Sequence, residues 1–190
     1  KGLGLANLEM NVSMKPGMVF RVGSITKQFT AIAILQLMEK GQLALNDSIQ
    51  KFITGFHFKG KTITIENLLT HTSGITGYDR LDAGIPNAIR VEFKTRTIID
   101  SLDRLPLEFD PGTRFSYSNS NYFLLGYIIE KLSGKTYPQY LKENIFDPAG
   151  LHSTYYDSQT ELIPDRSGGY TYAEGKYQNA GFISMSLVYS

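Results

Sequence analysis

Phe20-Arg21-Val22-Gly23-Ser24-Ile25-Thr26-Lys27 leads straight into Gln28-Phe29-Thr30-Ala31-Ile32-Ala33-Ile34-Leu35-Gln36-Leu37-Met38-Glu39-Lys40-Gly41. From Ile25 to Lys40 the run has neither Gly nor Pro, is apolar nearly all round between Ala31 and Met38, and stops at Gly41. That pattern predicts a buried helix with Ser24 in the cap position and Gly41 just past the end. Lys27 then lies one turn from Ser24 on the same face. Against so apolar a helix the ammonium is disfavoured, which is one way a lysine becomes a general base beside a nucleophile. The helix N-terminus adds N–H groups suited to a developing oxyanion. A plainer reading makes Ser24 an ordinary cap and lets Lys27 reach out to water. Taken alone, the stretch weighs evenly between the two.

The letters do not break the tie. Fifteen Ser and twelve Lys in 190 residues give about one Ser-x-x-Lys by chance, and the chain has two, Ser24–Lys27 and Ser48–Lys51. Ser48 follows Asn46-Asp47 at the start of a short polar helix expected over residues 47–53, where a serine is a usual cap. Further along, a helix is expected from Ile65 to His71 with Thr64 as its cap, and another over Thr97–Leu105. Asp110-Pro111-Gly112 reads as a turn. A strong helix follows over Tyr122–Leu132, closed by Ser133-Gly134, and then one over Tyr137–Phe146 with Pro138 in its first turn. Residues 1–8 read as a glycine-bearing strand, Met18–Val22 as a short extended piece, 75–95 as surface loop, and 170–177 as a hairpin. No linker divides the chain, which reads as one domain.

Composition excludes several classes. Nineteen basic against eighteen acidic residues leave a net charge of +1, without the basic excess of a nucleic-acid binder. No run approaches the roughly 18 apolar residues of a membrane span. With no Cys there is no disulfide framework, thiolate metal site or Cys nucleophile, and the absence leaves the compartment open. Three separated histidines, His57, His71 and His152, argue against a histidine-rich metal site. Gly55-Phe56-His57-Phe58-Lys59-Gly60-Lys61-Thr62 matches the phosphate-loop letters. Its interior holds two Phe and a His, and the next helix begins only near Thr64, so a surface turn is the better reading.

A third feature decides the matter. Phe115-Ser116-Tyr117-Ser118-Asn119-Ser120-Asn121-Tyr122 sets a tyrosine and a small polar cluster just before a buried helix, downstream of Ser24–Lys27. The combination resembles the serine β-lactamase and penicillin-binding protein superfamily, in its class C branch. Phe20–Lys27, Ile65–Gly74, Phe109–Gly112, Tyr117–Asn119, Tyr122–Glu130, and Asp147–Leu151 with Thr154 carry the resemblance in that order. It implies an α/β (α+β) fold of the β-lactamase/transpeptidase type. It also implies a serine hydrolase working through an acyl-enzyme on β-lactams, D-alanyl peptides or small esters. Ser24 would be the nucleophile, Lys27 would help deprotonate it, Tyr117 would be general base or proton shuttle, and Asn119 would bind the substrate's amide. One oxyanion donor would be the N–H of Ser24, and the His71–Ser73 loop would be structural. No metal or organic cofactor is called for.

The family's third element, Lys-Thr-Gly or His-x-Gly on a strand, has no copy after Asn119: Lys135-Thr136 is followed by Tyr137 between two helices. The chain also begins at Lys1 with no leader. Residues 1–190 are therefore expected to form a single truncated domain, with the helical part present and the central antiparallel sheet incomplete. The sheet-facing surface would be uncovered, favouring a homodimer or a swapped assembly. By resemblance alone the location would be periplasmic or otherwise extracytoplasmic. The competing reading is a degenerate, non-catalytic homologue that serves as a binding module.

Overall fold

The computed structural model describes residues 1–80 and 94–181. Its centre is helix α1 (Thr26–Glu39), preceded by a 3-10 turn over Gly23–Ile25. Lys27, Thr30, Ala33, Ile34 and Leu37 form its buried stripe, at the spacing of one helix face. Gly41 ends it at φ 69°, with Gly41 N–H on the Met38 carbonyl and Gln42 N–H on the Leu37 carbonyl. That paired closure needs a left-handed residue, which glycine supplies without a Cβ penalty. Ser24 does not cap the helix: it sits inside the 3-10 turn, and no side-chain cap bond is made at either start.

Helices α4 (Asn119–Ser133) and α5 (Tyr137–Leu141) pack on α1, and α2 (Ile65–Leu69) and α3 (Thr95–Arg104) pack on α4. Helix α4 is the second pillar, burying Ser120 to Gly126 together with Ile128 and Ile129, against α1 and α2 in particular. Thr64 and Thr136 start α2 and α5 through reciprocal capping boxes with Asn67 and Gln139. The helix expected to run unbroken to Phe146 changes to a π turn over Lys142–Phe146. Gln36 of α1 donates to the Asn144 carbonyl at 3.0 Å, an insertion of the kind that loosens the helical ladder.

Two small antiparallel sheets complete the described residues: β1 (Leu5–Asn7) with β2 (Val12–Ser13), and β3 (Tyr170–Ala173) with β4 (Lys176–Asn179). The extended piece before Ser24 is fixed by a bridge between Val19 and Arg166 and by Arg21 and Arg166 on either side of Asp157, at 2.5 and 2.6 Å. The described residues thus form a mixed α/β architecture, a helical body carrying two small antiparallel sheets. Ile25 just before α1 and Ile32 and Leu35 on it are 56%, 42% and 40% exposed, so among the described residues one apolar flank of the central helix has no cover.

Two expectations change. The segment matching the phosphate-loop letters is not a plain surface turn, because Phe56 and Phe58 are core residues packed edge to face at 4.3 Å. Its His57 and Phe58 N–H groups both donate to the Asp103 carboxylate, at 2.7 and 2.9 Å, which leaves them unsuited to phosphate. Nor is residue 75 the start of a surface loop: Ile75 and Tyr78 belong to the core, while 81–93 lie outside the described residues.

Candidate active site

Gly23 takes φ 53°, a turn open to glycine, and this swings Ser24 to the surface at the mouth of α1. Lys27, one turn on, is only 7% exposed. Its Nζ donates to Ser24 Oγ at 3.3 Å and to Asn119 Oδ1 at 2.9 Å. It also lies 5.0 Å from the ring centroid of Tyr117 and 5.4 Å from that of Tyr122. The Tyr117 hydroxyl donates to Ser24 Oγ at 2.8 Å. The structure therefore places Ser24, Lys27, Tyr117 and Asn119 together, joined across 93 residues of sequence by direct hydrogen bonds.

Burial pushes the Tyr117 phenol up, but hydrogen bonds to Lys27 and Ser24 and the Lys27 charge outweigh it. The phenol ends below its ordinary value. A cation held against the oxygen favours phenolate, so Tyr117 is biased towards accepting a proton from its serine neighbour. Tyr122 moves the other way, raised by burial and then by Tyr117, and its hydroxyl is tied to the Leu69 carbonyl at 3.1 Å. With Asn119 Oδ1 engaged by Lys27, the Nδ2 side faces outward and meets the Asp79 carboxylate only at 3.4 Å.

Sequence reasoning set the loop after α2 aside as structural, yet it forms one wall of the site. The His71 ring lies 4.5 Å from that of Tyr117 and 5.2 Å from that of Tyr122. Its Nδ1 meets Ser118 N–H and Asn121 Nδ2, both at 3.2 Å. Asn121 Oδ1 accepts from Ser73 Oγ at 2.6 Å, and Ser73 Oγ accepts from Ile75 N–H at 3.0 Å. Asn121 therefore bridges His71 and Ser73 in a buried network. Burial, and then the charge of Lys27, holds the His71 imidazole down to about 4, so it is neutral at pH 7. The signal in the sequence was Asn121 two residues after Asn119, which helix periodicity turns inward. Among the described residues Ser118 Oγ is buried with no hydrogen-bond partner.

A cavity of about 300 Å³ opens between Val22, Thr26 and Phe29 of the central helix region and Tyr155 and Tyr156, with Arg21 and Asp157 in its lining, and Ser24, Lys27, Tyr117 and Asn119 do not line it. Among the described residues no three His, Cys, Asp or Glu side chains gather as a metal site, and no helix is long and apolar enough to cross a membrane.

Known proteins share this architecture. Penicillin-binding protein 4* of Bacillus subtilis (strain 168) is 34% identical over 171 residues, covering 89% of this chain and 37% of that protein. The crystal structure of a penicillin-binding protein from Bacillus halodurans superposes with a TM-score of 0.83 at 32% identity, over 93% of this chain and 54% of that one. An octameric penicillin-binding protein homologue from Pyrococcus abyssi gives 0.81 at 32% identity, over 96% and 43%. A D-amino acid amidase from Ochrobactrum anthropi SV3 gives 0.82 at 25% identity, over 98% and 53%. The chain spans less than half the length of the curated relatives it matches. The family model described as Beta-lactamase matches residues 1–184, nearly the whole chain, which belongs to the beta-lactamase family.

Proposed function

We propose that the chain carries the nucleophile and proton-transfer half of a serine hydrolase of class C β-lactamase type, acting on β-lactams, D-alanyl peptides or small esters. The observation that carries the proposal is Ser24 Oγ held by the Tyr117 hydroxyl at 2.8 Å and by the Lys27 ammonium at 3.3 Å. In this reading Ser24 Oγ attacks the substrate carbonyl carbon while its proton passes to the Tyr117 oxygen. Lys27 supports the phenolate that receives it. The same proton then goes to the leaving nitrogen or oxygen, and the acyl group stays on Ser24 until water removes it. Asn119, fixed through Oδ1 by Lys27, offers Nδ2 to the substrate's amide carbonyl. The groups in the site need no cofactor and no metal for this sequence.

One observation favours a second reading. No Lys-Thr-Gly or His-x-Gly follows Asn119, so the second oxyanion donor of the family is not among these 190 residues. Loss of one such donor costs on the order of 10²–10³ in rate. A binding module without turnover is therefore the alternative. The exposed flank of α1 supports a second copy or a swapped assembly covering it, and light scattering that finds a monomer at all concentrations would remove that idea. An extracytoplasmic location is proposed from the likeness to penicillin-binding proteins.

A fluorescent penicillin separates enzyme from binding module. Stoichiometric covalent labelling that disappears in Ser24→Ala supports the hydrolase. Absence of labelling in the parent chain, with reversible penicillin binding retained, leaves the binding module.

A further inference from the structure

We propose that His71 is a positioning residue that holds Tyr117 against Ser24, gripping the chain on both sides of the tyrosine and packing on its ring. The proposal rests on the roles given to Ser24 and Tyr117 above. Ser116 N–H donates to the His71 carbonyl at 2.9 Å, and Ser118 N–H to His71 Nδ1 at 3.2 Å. Both residues flanking Tyr117 are thereby tied to one histidine. The imidazole also lies over the Tyr117 ring, at 4.5 Å between centroids with a 32° tilt.

The backbone of His71 gives an independent reason to look for a role. Helix α2 closes with His71 N–H on the Leu68 carbonyl and Thr72 N–H on the Asn67 carbonyl, and His71 takes φ 57°. That is the left-handed closing position where glycine is cheapest. A histidine there keeps backbone strain that a glycine would remove, so the side chain offsets it through its contacts. The buried network makes those contacts specific: Nδ1 can accept only if it carries no proton, which assigns the proton to Nε2. The charged and titratable groups facing the ring are Lys27, Tyr117 and Tyr122, and a cation at His71 would oppose the Lys27 ammonium.

Because the chain has three histidines, a long-range proton–nitrogen correlation spectrum of the parent chain resolves each imidazole. At pH 7 His71 should be neutral with Nδ1 unprotonated; a proton on Nδ1 overturns the proposal without any variant. The second measurement follows the Tyr117 phenol by ¹³Cζ-tyrosine NMR, with Tyr117→Phe to assign the signal. His71→Ala, which keeps the backbone bond to Ser116 but loses the Nδ1 grip on Ser118 and the ring, should shift the Tyr117 titration up towards the ordinary phenol range. His71→Asn should recover part of the parent behaviour, because Asn accepts left-handed backbone and its Oδ1 can take the place of Nδ1. Penicillin labelling should slow on the order of 10- to 100-fold in His71→Ala, as for a reacting group displaced by about 1 Å, and less in His71→Asn. An unchanged Tyr117 titration in His71→Ala overturns the proposal. If the parent chain takes no penicillin label, the hydrolase reading fails, and the phenol titration still decides whether His71 positions Tyr117.

Discussion

Lowering the pH should weaken the fold through one identifiable group. His71 is 8% exposed, and burial followed by the Lys27 charge takes its imidazole from 6.5 to about 4. Between those values the unfolded chain binds a proton that the folded chain refuses, so stability falls as pH drops from about 6.5 to about 4 and then levels off. Above pH 7 both states are neutral at this position and it contributes nothing. A depression from 6.5 to about 4 corresponds to about 3 kcal/mol at about 1.4 kcal/mol per unit, a substantial share of the roughly 5–15 kcal/mol that stabilises a domain. The assay is urea unfolding at half-unit steps from pH 7.5 to 4, on the parent chain and on His71→Asn. Every other titrating side chain is common to the two proteins, so the difference between their curves isolates His71. The parent should lose about 3 kcal/mol more than the variant across that window, whatever offset the substitution introduces at pH 7. Parallel curves would refute the reasoning. In a Lys27→Met background the drop should shrink but persist, because burial is the larger cause and the lysine charge the second.

Lys27→Met should raise the Tyr117 phenol, since the groups that outweigh burial there are chiefly the lysine's own, and ¹³Cζ-tyrosine NMR reads the change. Penicillin labelling of the same variant should fall by roughly 10²–10⁴, the usual worth of a proton-handling group, whereas labelling at the parent rate would remove Lys27 from the chemistry. Ser118→Ala deletes a buried hydroxyl that has no partner among the described residues and should stabilise by about 1 kcal/mol, a rise of a few degrees in Tm; a lower Tm would mean that the hydroxyl is satisfied in solution. Gly74→Ala should cost at least about 2 kcal/mol, because Gly74 has φ 77° and a Cβ there would stand 2.2 Å from the Phe109 carbonyl oxygen. A calorimetric Tm within 2 degrees of the parent would contradict that geometry.

Local signals carried much of the fold. The Gly-free, Pro-free run after Ser24, the Thr64 cap and Gly134 after α4 correspond to helices within a few residues of the expected ends, and Pro138 marks the start of α5. What escaped depended on contacts between distant segments. Ser24 looks like a helix cap in one dimension, yet its hydroxyl is taken by Tyr117 from 93 residues away, and the helix begins with an uncapped 3-10 turn. Phe56 and Phe58 sit in a segment that reads as turn, and only the packing of that turn onto the core, with Asp103 of α3 on its amides, makes them interior. His71 was separated from the site by sequence alone, since no periodicity links the end of α2 to residues 116–118.

The site divides along a physical line. The groups of the cluster are fixed by the helices and the loops beside them: Lys27 by α1, Asn119 by α4, and Tyr117 by the residues before α4 and the loop after α2. Lys27 is nearly buried while Ser24 and Tyr117 face outward, Tyr117 at 44% exposure, so the cationic support is internal and the reacting oxygens are presented to an open side. On the proposed roles, activation of the serine falls to Lys27 and Tyr117, and the substrate meets Asn119 Nδ2 on the open side. Proton transfer depends on hydrogen-bond distances held within this frame, whereas oxyanion stabilisation requires donors aimed at an atom belonging to the substrate. Losing the second kind lowers the rate without disturbing the first. On the proposed reading, these 190 residues would acylate Ser24 weakly while keeping the Ser24–Lys27–Tyr117 cluster intact, and a displaced Tyr117 would signal a fault in the frame that holds it rather than in the open side.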